Sequence, residues 1–215
     1  MKKPNSRKIY PGHTVEQTLR GKGYIRVAGL DEAGRGALAG PVVAAAVILP
    51  ERAVFEWMGR VRDSKALTEE EREDIFCLMQ GDGIEIGVGI VSPQVIDDIN
   101  ILNATRQAMK LALEQLDSPP DYVLTDAVYL RGMNIPQKGI IKGDRDVLTI
   151  ACASIAAKVT RDHIMAELDL VYPGYGFRQH KGYGTRVHLQ SLQKYGACDI
   201  HRFTFAPVRN LSRLI

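Results

Sequence analysis

Residues 24–50, YIRVAGLDEAGRGALAGPVVAAAVILP, decide the fold. Val27 to Leu30 is a short apolar run with the length of a buried strand, and it ends in two adjacent carboxylates, Asp31 and Glu32. Gly34, Arg35 and Gly36 follow, then Pro41 and a second run, VVAAAVIL, that lacks polar alternation and reads as a strand buried on both faces. An acidic pair at the end of a central strand is costly to hold ionised unless a cation compensates it. The loop behind it offers flexible backbone donors and one guanidinium, which suits a phosphodiester. The stretch therefore points to a divalent-metal site facing a nucleic-acid backbone.

Outward from this stretch the chain alternates strands and helices. Residues 1–23 read as a basic N-terminal tail with a short helix, for which Thr14 and Gln17 have capping-box spacing. Residues 24–215 read as a single domain. Asp63-Ser64-Lys65 sits in what reads as an ordinary exposed loop. Thr68 with Glu71 is a capping box for a helix to about Met79, and IEIGVGIVS (84–92) alternates like a third strand. A helix over 99–117 is expected to turn Leu102, Met109, Ala112, Leu113 and Leu116 inward. YVLT then delivers Asp126 at the end of a fourth strand, and GIIK (139–142) is a short fifth strand followed by Asp144 and Asp146. Asp146 is the expected N-cap of a second long helix, over 147–170, with Leu148, Ala151, Ile155 and Val159 inward. The fold class is α/β, a mixed central sheet flanked by helices, with carboxylates gathered at the ligand-binding edge.

Composition narrows the partners. The 215-residue chain has a net charge of +3 and a pI near 8.7, mildly basic and compatible with nucleic acid. Cys77, Cys152 and Cys198 have no metal-ligand spacing and read as buried, inert thiols in a reducing compartment. Neither a membrane span nor a signal-peptide core is visible, so a cytoplasmic location is expected. No obligate protein partner is evident.

Gly34 to Ala39 matches the dinucleotide pattern G-x-G-x-x-A, but Gly40-Pro41 interrupts where a helix must open and a strand-like run follows. Four carboxylates, Asp31, Glu32, Asp126 and Asp144, lie at the ends of three apolar runs. Clustered, they would repel unless divalent ions bound among them, and oxygen ligands suit Mg²⁺ or Mn²⁺ over Zn²⁺. Glu32 serves through its side chain if the strand ends or bends there, or through its backbone carbonyl. Lys158 and Arg161 lie one turn apart on the second long helix, the usual arrangement of a solvated face. The segment YPGYGFRQHKGYGT (172–185) interleaves Tyr175, Phe177 and Tyr183 with Arg178, His180 and Lys181, a composition suited to stacking on sugars or bases.

Taken in order, Asp31-Glu32-Ala33-Gly34-Arg35-Gly36, Asp63-Ser64-Lys65, Asp126-Ala127, Lys142-Gly143-Asp144, the stretch from Ala153 through Lys158 to Asp162, and His180-Lys181-Gly182-Tyr183-Gly184-Thr185 resemble bacterial ribonuclease HII over about residues 24–206. The resemblance implies a ribonuclease H-like fold and hydrolysis of RNA paired to DNA, dependent on two divalent cations, Mn²⁺ or Mg²⁺. It implies cleavage 5′ of a lone ribonucleotide in duplex DNA as well, leaving 3′-hydroxyl and 5′-phosphate ends. By position, Asp31, Glu32, Asp126 and Asp144 match the metal-site acids. Gly34, Arg35, Gly36 and Tyr183 match the group that reads the RNA–DNA junction, and Lys158 is a further substrate-binding candidate. Ala37 stands where the family often has proline. A junction resolvase on the same fold would share the carboxylates but need neither the Gly-Arg-Gly loop nor Tyr183, and a pure binding module would need no converging acids.

Overall fold

A computed structural model describes residues 10–51 and 54–211. The chain forms α1 (Thr14–Arg20), β1 (Val27–Ala33), β2 (Val42–Ile48), α2 (Glu69–Gly81), β3 (Glu85–Val91), α3 (Pro93–Ile99), α4 (Ile101–Glu114), β4 (Tyr122–Asp126), β5 (Gln137–Ile140), the single turn α5 (Gly143–Asp146), α6 (Leu148–Val171), the turn α7 (Phe177–His180), α8 (Arg186–Tyr195) and α9 (Val208–Leu211). The five strands make one sheet in the order β3-β2-β1-β4-β5. β1 runs antiparallel to β2 and parallel to β4, so the sheet is mixed, as expected.

Helices cover both faces. α6 packs across β1 and β2 with Leu148, Ala151, Ile155 and Val159 buried, while α4 lies over the other face with Met109, Ala112 and Leu113. Every residue of β2 is buried, the consequence of an apolar run with no polar alternation. Gly29 in β1 sets how closely α6 approaches. A Cβ there would lie 2.3 Å from the Thr149 carbonyl carbon, so any side chain would push the helix off the sheet. The α6 start is thereby held at the sheet edge where β1 and β4 end.

Several local expectations fail for identifiable reasons. The helix expected over 99–117 is two helices, because Asn100 takes a left-handed conformation (φ 66°) and its Oδ1 accepts from the amides of Leu102 and Asn103. Leu102 in that capped first turn is 40% exposed. The fifth strand is Gln137–Ile140, two residues earlier than GIIK, since its register against β4 runs out at Asp126↔Ile140. The Thr14/Gln17 capping box is absent: His13 is the N-cap of α1, and no side chain caps it. Cys77 is exposed and Cys198 half-buried, so only Cys152 fits the buried reading.

Asp146 does not cap α6. It ends α5, and Val147 occupies the N-cap position without a side-chain hydrogen bond. The orphan donor is met from elsewhere: buried Glu16 of α1 accepts from both the amide and the hydroxyl of Thr149, each at 3.0 Å. Gly12 joins the same corner, donating to the Asp146 carbonyl and accepting from the Leu148 amide. Among the described residues no helix is long and apolar enough to cross a membrane.

Candidate active-site cleft

The ends of β1 and β4 and the start of α5 bring three carboxylates together. Asp31, Asp126 and Asp144 each offer an oxygen, and these lie within 4.8 Å of one another. Parallel pairing of β1 with β4 places Leu30 beside Thr125, which brings the next residues, Asp31 and Asp126, to the same edge. Asp126 Oδ1 accepts from the Gly143 amide at 3.0 Å, tying β4 to the turn that carries Asp144. Asp31 and Asp144 are buried.

The electrostatics of this corner are unfavourable in the protein alone. Burial pushes the Asp31 carboxyl well above the usual carboxylate range, and the charge of Glu32 adds to it; a hydrogen-bonding contribution from Ser154 pulls the other way. Asp144 is raised by burial and by Asp126, with Lys65 opposing. Lys65 Nζ stands 3.5 Å from Asp144 Oδ2 on a largely exposed side chain, a weak compensation for three acids. An all-oxygen cluster of this kind fits Mg²⁺ or Mn²⁺.

Glu32 stands outside the group of three. β1 continues through it to Ala33, so its side chain leaves the strand away from Asp31. Its Oε1 accepts from Arg35 Nη1 at 3.0 Å, while its Oε2 is buried with no hydrogen-bond partner. Burial raises its pKa, Arg35 opposes, and Asp126 raises it further, so Glu32 still borders the acidic corner.

An open cleft of about 390 Å³ runs from these acids past the Gly-Arg-Gly loop to Tyr183. Asp31, Glu32, Gly34, Arg35, Gly36, Asp126, Lys158 and Tyr183, all singled out in the sequence, line it, and Asp144 joins through the carboxylate cluster. Ser64 and Lys65 line it too. The loop that read as exposed instead buries Ser64, whose hydroxyl lies 2.9 Å from that of Ser154 on α6, and Arg72 holds the Ser64 carbonyl at 2.9 Å.

The solvated-face reading of Lys158 and Arg161 fails. Lys158 is half-buried and paired with Asp162; burial lowers its pKa, with Asp162 opposing. Arg161 is fully buried and donates to the carbonyls of Pro41 (2.9 Å), Lys181 (2.8 Å) and Ala39 (3.1 Å). A Cβ on Gly34, whose φ is +93°, would lie 2.1 Å from Arg161 Nε, so only glycine lets the loop close over this guanidinium. Arg202, which the sequence reading passed over, is also fully buried and holds the Arg35 carbonyl at 3.0 Å and the Gly40 carbonyl at 2.9 and 3.1 Å. Burial and then the charge of Arg161 bring its pKa down to about 9. Nothing local marks either arginine, because their partners are backbone carbonyls of distant loops.

The aromatic segment 172–185 divides the same way. Tyr175 and Phe177 stack on each other at 5.1 Å inside the protein, with His180 and Lys181 also buried. Tyr183 is the aromatic residue of the segment that lines the cleft; it is 37% exposed, with Arg161 5.5 Å from its ring centroid.

A sequence profile of the ribonuclease HII family matches residues 28–208. The chain is 50% identical over 207 residues to the ribonuclease HII of Dehalococcoides mccartyi strain 195, covering 96% of this chain and 98% of that one. It is 53% identical over 184 residues to ribonuclease HII of Acetivibrio thermocellus, covering 86% of this chain and 71% of the relative. Among solved structures, the ribonuclease H2 of Pyrococcus horikoshii superposes with a TM-score of 0.74 at 26% identity, covering 88% of this chain and 98% of the other.

Proposed function

Because this chain belongs to the ribonuclease HII family, hydrolases of the RNA strand of RNA/DNA hybrids, we propose that it cuts at RNA-to-DNA steps, including the 5′ side of a single ribonucleotide in duplex DNA. The observation that carries this reading is one cleft lined by both an acidic corner and the Gly-Arg-Gly/Tyr183 surface. The acids by themselves would serve any metal-dependent nuclease; the second surface supplies the choice of sugar.

Asp31, Asp126 and Asp144 would hold divalent cations, Mg²⁺ or Mn²⁺, with Glu32 as the fourth acid through its side chain or backbone carbonyl. Two such ions, when bound, would supply the charge neutralisation that activates water and stabilises the leaving oxygen of an in-line displacement. The protein's own contribution is positioning. Arg161 and Arg202 fix the backbone from Arg35 to Pro41, which presents exposed Gly36 to the cleft with open space before it. A 2′-hydroxyl both donates and accepts, so the open backbone at Gly36 would pair with it. Tyr183, packed on the sugar that follows, would accept a deoxyribose and crowd an added hydroxyl. Lys158 and Arg35 would contact phosphates along the cleft. Water adds to phosphorus, the 3′ oxygen of the preceding nucleotide leaves and takes up a proton, and the ends are 3′-hydroxyl and 5′-phosphate.

The test is incubation with Mn²⁺ or Mg²⁺ and a DNA duplex carrying one ribonucleotide. A nick 5′ of that ribonucleotide is expected; an intact duplex alongside cleavage of a long RNA/DNA hybrid would remove the junction reading and leave the general hydrolase.

A further inference from the structure

Three of the five histidines, His180, His188 and His201, are buried together behind Tyr183, with no part in the acidic corner. Their hydrogen bonds determine their protons. His188 Nδ1 lies 3.0 Å from the Tyr183 carbonyl, which accepts, so Nδ1 carries the hydrogen. In the neutral ring Nε2 is then an acceptor, and the atom it faces at 3.1 Å, His201 Nε2, must be the donor. His201 Nδ1 is left as an acceptor and meets the Cys198 amide at 3.0 Å and the Cys198 Sγ at 3.2 Å, both able to donate. The opposite tautomer of His201 would direct Nδ1–H at the Cys198 carbonyl, 3.2 Å away, but would set two acceptor nitrogens face to face. His180 is fixed as well: its Nε2 donates to the Tyr175 carbonyl at 2.8 Å and its Nδ1 accepts from the Gly182 amide at 3.2 Å.

Both ends of the Tyr183 residue are thus tied to this group, its amide donating to the His180 carbonyl at 2.9 Å and its carbonyl accepting from His188. We propose that His188 and His201 are positioning residues for Tyr183: a one-way chain of hydrogen bonds, from the Cys198 amide through two facing neutral imidazoles to the Tyr183 carbonyl, sets that ring against the cleft and so sets the preference for a lone ribonucleotide over a continuous hybrid. This rests on the reading of Tyr183 given above.

The surroundings keep both rings neutral. Burial lowers the pKa of His188, and it lowers that of His201, with help from the charges of His188 and His180, to about 4. The titratable groups facing the pair are His180, stacked on His188 at 4.4 Å, the Cys198 thiol, and the Tyr175 ring, 5.3 Å from His201. Protonating His188 forces His201 to exchange tautomers, and protonating either ring turns His201 Nδ1 into a donor against the Cys198 amide.

Two measurements decide the proposal. Imidazole ¹⁵N spectra of the wild-type protein at neutral pH are expected to show the Nδ1–H tautomer for His188 and Nε2–H for His201; the reverse assignment, or rapid tautomer averaging, overturns the chain without any assay of activity. The second is the ratio of kcat/KM on a one-ribonucleotide duplex to that on a long hybrid. His188→Leu, lacking the donor, is expected to lower this ratio about tenfold, and His188→Asn, with an amide donor at the δ position, to restore it within about threefold. In a Tyr183→Ala background His188→Leu is expected to leave the ratio within about twofold, because the positioned ring is gone. An equal loss on both substrates, or a full additive loss without the Tyr183 ring, would show that His188 only supports the fold. If Tyr183→Ala alone leaves the ratio unchanged, the junction reading of Tyr183 fails and takes the specificity claim with it, while the spectra still decide the hydrogen-bond chain. Should His188→Leu not fold, the spectra and the Asn variant carry the decision.

Discussion

At one end of the cleft Asp31 and Asp144 are buried with Lys65 standing 3.5 Å from Asp144; at the other, Arg161 and Arg202 are buried with backbone carbonyls as hydrogen-bond partners. The first region holds negative charge in search of a cation, and the second holds positive charge beneath a surface suited to a polyanion. Each is costly by itself, and pairing the two internally would have been the cheaper arrangement. On the proposed function, keeping them apart leaves the acidic end to receive metal and the basic end to support the surface that meets phosphate and sugar. The hydrogen bonding differs in kind as well. Every guanidinium nitrogen of both arginines meets a carbonyl, whereas Glu32 Oε2 at the border of the acidic corner has no hydrogen-bond partner.

The largest effect is expected from breaking the acidic end. Asp31→Asn or Asp126→Asn should lower kcat about a thousandfold or more, a barrier change of about 4 kcal/mol, with the fold retained by circular dichroism. Retention of more than about a tenth of the wild-type rate in saturating Mn²⁺ would sink the metal-site assignment.

The basic end should fail as structure. Arg161→Met leaves the Pro41, Ala39 and Lys181 carbonyls without their donor and should cost at least about 3 kcal/mol in urea unfolding. Arg161→Lys should recover only part of this, because an ammonium does not reproduce the guanidinium fork. Equal stability of wild type and Arg161→Met would show that the platform does not depend on this residue.

The acidic corner and the buried histidine group also respond oppositely to pH in metal-free protein. His201, lowered to about 4, takes up its proton more readily unfolded than folded, so its contribution is whole above the ordinary histidine value and is lost as pH falls toward 4. That loss amounts to about 3 kcal/mol across the window, at about 1.4 kcal/mol per pH unit. Asp31, Glu32 and Asp144 are raised, so their contribution is present in acid and lost as pH rises through their folded values. Thermal unfolding from pH 4 to 7 should flatten on the histidine side in His201→Gln and on the carboxylate side in Asp31→Asn; unchanged profiles in both would contradict these assignments.

The smallest effect sharpens the comparison by what it spares. Asp146→Ala should shift stability by less than about 0.5 kcal/mol and leave cleavage intact, since Asp146 caps no helix. A cost near 1 kcal/mol, as for a true N-cap, would restore the expectation drawn from sequence.

That contrast between Asp146 and Asp144 shows where the sequence is legible. The apolar runs that lead into Asp31 and Asp126, the Thr68/Glu71 box and the buried run of β2 were readable because their signals are local in spacing and polarity. The pattern of quoted motifs identified the family, and the profile match and relatives agree. Arg161, Arg202 and the histidines behind Tyr183 were not readable. Their partners are carbonyls or rings that loops bring from up to 167 residues away, and a carbonyl leaves no mark in a sequence. The same reason hid the true cap of α6, which comes from Glu16, 133 residues distant from Thr149. Charged residues at i, i+3 spacing look solvated until the chain that covers them is known.

The acidic corner is tested most directly by the melting temperature of wild type and Asp126→Asn with and without Mn²⁺. Binding to the folded state alone raises stability by mass action, by about 2.7 kcal/mol at a hundred times the dissociation constant. Wild type should therefore melt higher as Mn²⁺ is added, while Asp126→Asn, relieved of one negative charge, should start at or above the metal-free wild type and respond little. Equal Mn²⁺ shifts in the two proteins would place the cation elsewhere and contradict the convergence of these three carboxylates on a metal.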